Sequence, residues 1–190
     1  MATRSVNAKI KNLLRHYPVF HWFGYVDEAH YLDFTEYIKD LREAVKAKEG
    51  SIKSKWPNKV VLYLNSHGGD PSIAQGFYDY VKSSGLHLIT IAAGDVESAA
   101  DILFLAGKER YASRFSSFLF HDAEIEGHFN ISIRNVEQIH HRIAAIHNRY
   151  VEIVSLETGL TAEKVDELSL DASPISSERA KELGIVHEIF

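Results

Sequence analysis

Two turns and one histidine carry the residues of this sequence that could do chemistry. Gly68 and Gly69 follow one apolar run, Ser98 follows the next, and His121 follows a third. A serine hydroxyl becomes a nucleophile when an imidazole takes its proton, and backbone N–H groups can hold the resulting oxyanion. We therefore predict an active site in which Ser98 attacks a carbonyl and the paired glycines supply N–H donors. The alternatives are a helix cap for Ser98 and a surface loop position for His121.

The elements around these residues should bring the two turns together. A strand at 60–64 is followed by a helix that Asp70 caps and Gly85 ends, and then by a second strand at 88–93. Successive parallel strands of a βαβ unit end at the same edge of a sheet. The turn that carries Gly68 and Gly69 should therefore lie beside the polar turn that ends at Ser98.

The rest of the chain predicts an α/β fold with one domain at 19–190, preceded by a basic segment at 1–18. A chain of 190 residues with 45% hydrophobic residues is long enough for one sizeable core. Periodicity and turn residues predict the following further elements: a strand at 19–26, a helix at 27–48, a surface loop at 49–58, a short helix at 98–106, a strand at 117–120, an extended arm at 123–129, a helix at 131–156, helices at 161–168 and 177–183 joined by a connector at 171–175, and a terminal strand at 185–190.

The long predicted helix carries an apolar stripe. Its members are spaced alternately three and four residues apart: Val136, Ile139, Ile143, Ile146, Tyr150 and Ile153. Such spacing is typical of a helix that packs on another helix or another subunit. We therefore predict a large homo-oligomer.

Composition excludes several classes of protein. A net charge of −5 with mixed charges argues against a dedicated nucleic-acid binder. The absence of cysteine excludes disulfides and thiolate zinc sites. No apolar window approaches the roughly 18 to 20 residues of a membrane span. We expect a cytoplasmic protein, and we expect no metal or organic cofactor. The histidines of the long predicted helix, His140, His141 and His147, lack the spacing of helical metal ligands and fit a solvated or inter-subunit face better.

The first 26 residues contain no acidic residue. A mobile basic terminus is the simplest interpretation of this segment. An organelle transit peptide and an electrostatic docking arm are the alternatives.

Five motifs in this order resemble the ClpP family, the proteolytic subunit of ATP-dependent Clp proteases, within the wider ClpP/crotonase fold. They are Leu64-Asn65-Ser66-x-Gly68-Gly69, Gly94-x-x-x-Ser98, Phe118-Leu119-Phe120-His121, Glu157-Thr158-Gly159, and the segment from Ser176 to Val186. The resemblance covers roughly residues 20–189. It implies a fold of repeated β-α units with a protruding strand-helix handle at about 123–156.

The chain also departs from the family pattern around the two turns. The positions that differ are His67, Asp95, Glu97, Ala100, Asp101 and Asp122. Asp95 and Glu97 could raise the pKa of the site histidine or select a basic substrate residue. Solvated carboxylates at a loop edge are the simpler interpretation.

The resemblance implies a serine peptidase that acts through an acyl-enzyme. It assigns Ser98 as nucleophile, His121 as general base and Asp171 as the residue that orients the imidazole, with Asp166 as the fallback for Asp171. It assigns the backbone N–H groups of Gly69 and Ala99 to the oxyanion hole.

The resemblance also implies stacked rings, for which seven subunits is one size, with the basic N-terminus at the axial pore. An AAA+ unfoldase would feed unfolded polypeptides into such rings. Two other functions share the fold: a catalytically silent scaffold subunit of a mixed ring, and a crotonase-type enzyme that acts on acyl-CoA thioesters.

Overall fold

The computed structural model describes residues 2–48, 59–124 and 132–190, which form seven helices and one seven-stranded sheet. The helices are α1 Ala2–His16, α2 Glu28–Lys48, α3 Pro71–Ser83, α4 Ala99–Leu105, α5 Ile133–Thr158, α6 Ala162–Asp171 and α7 Ser177–Glu182. The strands are β1 Val19–Phe23, β2 Lys59–Ser66, β3 His87–Glu97, β4 Glu109–Ala112, β5 Ser117–Leu119, β6 Ile175–Ser176 and β7 Glu188–Ile189. The predicted surface loop at 49–58 and most of the predicted arm at 123–129 lie outside the described residues.

The main path of the sheet runs β1-β2-β3-β4-β7, and all its pairs are parallel. Strand β5 branches from this path: it pairs parallel with β3 and antiparallel with β6. Both faces of the sheet are covered, as the nearly continuous apolar sequence of β2 requires. Alternate residues of β2 enter different cores, with Val60 and Leu62 on one face and Val61 on the other.

Helix α1 covers the second face of the sheet. Its Ile10 and Leu13 are buried in a small core with Val61, Ile89 and Tyr111. The basic N-terminal segment is therefore mostly helix. It packs on the sheet and is not a mobile terminus, because its apolar side chains cover the apolar face of β2 and β3.

Strand β3 is longer than predicted and changes partner along its length. It pairs with β4 as far as Ala92 and with β5 from Asp95 onward. Gly94, with a φ of 145°, lies at the change, and the Asn65 side chain packs against it. Asn65 Oδ1 accepts a hydrogen bond of 2.9 Å from the Asp95 N–H. The polar turn predicted at 94–98 is therefore mostly strand, because side-chain and sheet contacts satisfy its backbone.

Strand β4 was not predicted. It has four residues, and two of them are the charged Glu109 and Arg110. Arg110 is nevertheless buried, because its guanidinium donates to the backbone carbonyls of Gly107, Glu157, Gly184 and Ile185. Nothing local in the sequence marks these partners.

The other predicted elements are close to the observed ones. Asp70 caps α3 through the N–H groups of Ser72 and Ile73, as predicted. Ser132 caps α5, and Gly159 ends it in the left-handed conformation. Helix α6 runs three residues past its predicted end and includes Asp171. Over the described ranges, no helix has the length and apolar character needed to cross a membrane.

Candidate active site

The two predicted turns are in contact. Gly68 has a φ of +95°, and a Cβ added there would lie 2.7 Å from Ser98 Cβ and 2.9 Å from the Glu97 carbonyl oxygen. Only glycine combines this backbone conformation with so close an approach. The glycine turn therefore lies directly against the turn that carries the serine.

Gly69 is held by a backbone bridge to Val26, which follows β1. The Val26 N–H donates to the Gly68 carbonyl at 2.8 Å, and the Asp70 N–H donates to the Val26 carbonyl at 2.8 Å. This parallel bridge uses the residues on either side of Gly69 and leaves the N–H of Gly69 itself unused. Among the backbone hydrogen bonds of the described residues, none has the Gly69 N–H as donor. Nothing local in the sequence marks the Val26 contact, because Val26 and Gly69 are far apart in the chain.

Ser98 lies in a sharp turn between β3 and α4. Its backbone has φ 58° and ψ −126°, and its N–H donates to the Leu119 carbonyl at 2.8 Å. A non-glycine residue in this region stores strain on the order of 1 to 3 kcal/mol. Its hydroxyl makes no capping hydrogen bond with α4, so the interpretation of Ser98 as a helix cap is wrong. A strained strand-to-helix turn is a known way to present a nucleophilic serine.

Ala99 begins α4, so its N–H has no acceptor within the helix. Among the described residues, no other backbone carbonyl accepts from it. Ala99 and Gly69 both line the cavity that Ser98 lines. The two N–H groups are therefore available to a ligand carbonyl in that cavity.

His121 follows β5 by two residues and is half-buried. It lines the same cavity of about 660 Å³ as Ser98, Gly69 and Ala99. No hydrogen bond between described residues joins the His121 imidazole to Ser98. Catalytic hydrogen bonds often tighten only when a substrate binds, so this geometry is compatible with a general base.

The structure does not bring Asp171 to the cavity. It is the exposed last residue of α6, and the Ser173 hydroxyl lies 3.3 Å from its carboxylate. The fallback residue, Asp166, lies 2.9 Å from Nε2 of a different histidine, His147. The predicted connector at 171–175 would have let Asp171 turn toward His121, but the longer α6 keeps it in the helix. Its role as third member of a triad stays a prediction.

His147 is a cavity residue that the sequence did not identify. Its Nε2 is 2.9 Å from Asp166 and its Nδ1 is 3.7 Å from Asp122, which also lines the cavity. We expected this histidine on a solvated or inter-subunit face. Its spacing of three residues from Tyr150, a stripe residue that also lines the cavity, was the available signal.

A buried acid lies behind the cavity. Asp101 is 1% exposed, and its Oδ2 accepts a hydrogen bond of 2.7 Å from the Tyr150 hydroxyl. Its Oδ1 has no partner among the described residues. Burial raises the pKa of Asp101 well above its usual value, although the Tyr150 hydrogen bond acts in the opposite direction. Burial and the neighbouring Asp101 also raise the pKa of Tyr150.

Three further side chains lie beside the turns without lining the cavity. His67 Nδ1 is 2.8 Å from Glu97 Oε2, and this hydrogen bond together with the charge of Glu97 raises the pKa of His67. Asp95 is the third, and its Oδ1 accepts a hydrogen bond of 2.5 Å from the Ser117 hydroxyl. Of the described residues, these three form a group with the spacing of metal ligands.

The family described as Clp protease matches residues 49–190. "ATP-dependent Clp protease proteolytic subunit 1" of Thermobifida fusca is 29% identical over 133 residues, which cover 68% of this chain and 59% of that protein. "ATP-dependent Clp protease proteolytic subunit 2" of Borreliella burgdorferi is 25% identical over 132 residues, which cover 68% of this chain and 66% of that protein.

The chain thus spans 59% and 66% of the lengths of these two relatives. A solved structure of a ClpP1 variant from Listeria monocytogenes superposes with a TM-score of 0.66 at 18% identity, covering 90% of each chain. At that identity the likeness concerns the fold, and the α/β architecture described above matches it.

Proposed function

The chain belongs to the Clp protease family, and on that premise we propose that it is a serine endopeptidase subunit with Ser98 as nucleophile. The observation that carries the proposal is the strained turn at Ser98. The Ser98 hydroxyl makes no helix-capping hydrogen bond. Ser98 lines the same cavity as His121, Gly69 and Ala99. A serine, a histidine and two available N–H groups are the parts that acyl transfer needs.

Peptide hydrolysis would proceed in two steps. Ser98 Oγ attacks the peptide carbonyl carbon while His121 accepts the hydroxyl proton, and the carbonyl oxygen becomes an oxyanion held by the N–H groups of Gly69 and Ala99. His121 then returns the proton to the leaving amine as the C–N bond breaks, which leaves an acyl-enzyme. Water, deprotonated by His121, attacks the ester and releases the second product.

We retain Asp171 as the proposed residue that orients His121, with Asp166 as the fallback. Asp171→Asn and Asp166→Asn separate the two assignments, because only the orienting carboxylate holds the imidazole in its working tautomer. Loss of that carboxylate should lower kcat by roughly 10³- to 10⁴-fold. The other substitution should change kcat by less than about tenfold.

A fluorophosphonate probe followed by mass spectrometry tests the nucleophile. We expect a single label at Ser98, and we expect His121→Ala to abolish it. His141→Ala, at an exposed position on α5, is the matched control and should leave labelling unchanged. A label on another residue would contradict the proposal. Absence of labelling in a folded, assembled protein would instead favour the silent scaffold.

We further propose that the chain forms rings that receive unfolded polypeptides from an AAA+ unfoldase. The support is the first half of α5, where Ile133 is 80% exposed and Val136 is 52% exposed. These two side chains lie one helical turn apart, so they offer a joint apolar surface that another subunit can cover. Light scattering at micromolar concentration should give a mass several times that of the chain, and a monomer would contradict the assembly.

A further inference from the structure

We propose that His67, Asp95 and Glu97 form a binding site for a divalent transition-metal ion of the zinc type. The site lies beside the two turns and is distinct from the cavity, which none of these three side chains lines.

The positions of the three side chains follow from the register of the sheet. Asp95 and Glu97 alternate along β3, so their side chains leave the same face of the strand. Ser66, the last residue of β2, pairs with Val96 between them. The residue that follows, His67, is thereby brought to the same place from a position 30 residues away in the chain.

The geometry suits a small metal ion. Each residue offers one ligand atom, and the three atoms lie within 4.8 Å of one another. Bonds of about 2.0 to 2.2 Å to nitrogen and oxygen place ligand atoms roughly 3 to 4 Å apart. The three groups therefore need only small rotations to surround an ion. One imidazole with two carboxylates favours Zn²⁺, Co²⁺ or Mn²⁺ over Mg²⁺ and Ca²⁺, which prefer oxygen ligands alone.

Other contacts support a built site rather than a simple ion pair. An ion pair between His67 and Glu97 does not need Asp95, yet the Ser117 hydroxyl holds the Asp95 carboxylate beside the pair. Such an outer hydrogen bond is typical of a metal-ligating carboxylate. The His67 side chain is 67% exposed and the Glu97 side chain 22% exposed, so an ion can enter from solvent.

An ion at this site would join the two turns of the candidate active site. His67 directly precedes Gly68 and Gly69, and Glu97 directly precedes Ser98. Binding would therefore stabilise the folded chain by mass action and limit relative movement of the turns.

Isothermal titration of the full chain with ZnCl₂ tests the site, and the absorption spectrum with CoCl₂ reports its coordination. We expect one saturable site per chain. His67→Ala and Glu97→Gln should each weaken Zn²⁺ binding by at least about tenfold. The matched control is His141→Ala, which removes an exposed histidine elsewhere and should bind like the unmodified chain.

Circular dichroism establishes that each variant is folded, and Asp95→Asn serves if either variant is not. Absence of saturable binding below about 1 mM would overturn the proposal. Binding that neither substitution weakens would also overturn it, because the ion would then lie on other residues. No peptide substrate is present, so the outcome does not depend on whether the chain is a peptidase.

Discussion

The carboxylates at the amino end and at the carboxyl end of the parallel strands differ in the hydrogen bonds that they receive. At the amino end, Glu109 begins β4 beside Lys59, which begins β2, and His87, which begins β3. Lys59 Nζ and His87 Nε2 each lie 2.9 Å from Glu109 Oε1, and the Tyr111 hydroxyl donates to Oε2 at 2.8 Å. Burial by itself would raise the pKa of Glu109, but these hydrogen bonds lower it to about 2.

At the carboxyl end of the strands, the backbone is strained and one carboxylate oxygen lacks a hydrogen-bond partner, whereas the Glu109 carboxylate at the amino end is hydrogen-bonded at both oxygens. Ser98 has a positive φ, and one oxygen of the buried Asp101 has no partner among the described residues. The pKa of Asp101 is raised where that of Glu109 is lowered. Strain and unsatisfied polar groups collect at functional sites, whereas the opposite end of the strands can be built for stability alone.

Gly69→Ala, at the carboxyl end of the strands, should lower the free energy of unfolding more than any other substitution considered below. The new Cβ would lie 2.4 Å from the Val26 carbonyl oxygen, so the bridge that shapes the glycine turn must break. We expect the free energy of unfolding to fall by about 3 kcal/mol, measured by urea denaturation.

The matched control is Gly85→Ala, at the amino end of the strands. Gly85 also has a positive φ, of +71°, but nothing lies within 4 Å of an added Cβ. It should cost only about 1 kcal/mol of backbone strain. Equal losses for the two substitutions would contradict the crowding of the glycine turn.

Glu109→Gln tests the hydrogen bonds of the amino end. Because the folded pKa lies below the ordinary value of 4.5, the carboxylate stabilises the fold fully above about pH 4.5, and this stabilisation is lost as the pH falls toward 2. At pH 7 the variant should lose about 2 kcal/mol, after allowance for solvent screening.

Urea unfolding of both proteins at several pH values between 7 and 3 measures this effect. The difference between them should shrink below pH 4.5. Glu182→Gln, which removes an exposed partner of Arg179, is the control and should cost less than about 0.5 kcal/mol at every pH. A difference that is the same at pH 7 and pH 3 would show that Glu109 contributes by packing alone.

Asp101→Asn should have the opposite pH dependence. Because the folded pKa is raised, the native state is favoured fully below the unfolded value of 3.8, and this advantage is lost as the pH rises through the folded pKa. Asparagine stays neutral, and its carbonyl can still accept from Tyr150. The stability of the variant relative to the unmodified chain should therefore rise as the pH rises above 3.8, measured by urea unfolding between pH 5 and pH 9.

Tyr150→Phe is the companion variant, because it removes the only donor to the Asp101 side chain among the described residues. It should lower stability at every pH in that range. A pH-independent difference between Asp101→Asn and the unmodified chain would mean that Asp101 is already ionised in the folded state over this range, so that its pKa is not raised.

Ser98→Gly should change the stability of the fold least among these substitutions, and it should abolish fluorophosphonate labelling. Glycine tolerates a φ of 58°, so the free energy of unfolding should rise by about 0.5 to 1 kcal/mol while the fluorophosphonate label is lost. Ala172→Gly is the matched control, because Ala172 has a φ of 45° at the end of α6 and should gain a similar amount. A loss of stability for Ser98→Gly would show that the contacts of the serine side chain outweigh the backbone strain at this position.

Much of the site could be predicted because its signals are local. Glycines with positive φ, a serine before a helix and a histidine after a strand are patterns within a few residues, and the turns that carry Gly68 and Ser98 do meet. The position of Asp171 could not be predicted in this way. It depends on where α6 ends, and helix ends respond to packing as well as to local sequence.

The sequence by itself determined most of the helices and strands, though not β4 or β6, together with the cap of α3 at Asp70 and the glycine turn. Capping and backbone preference act within one or two turns of chain. The tertiary structure decided which residues from distant segments share an environment. Tyr150 reaches Asp101 only because α5 packs on α4, and β3 reaches β5 only past Gly94. A pKa or a ligand group depends on burial and neighbours, and these exist only once the chain has packed.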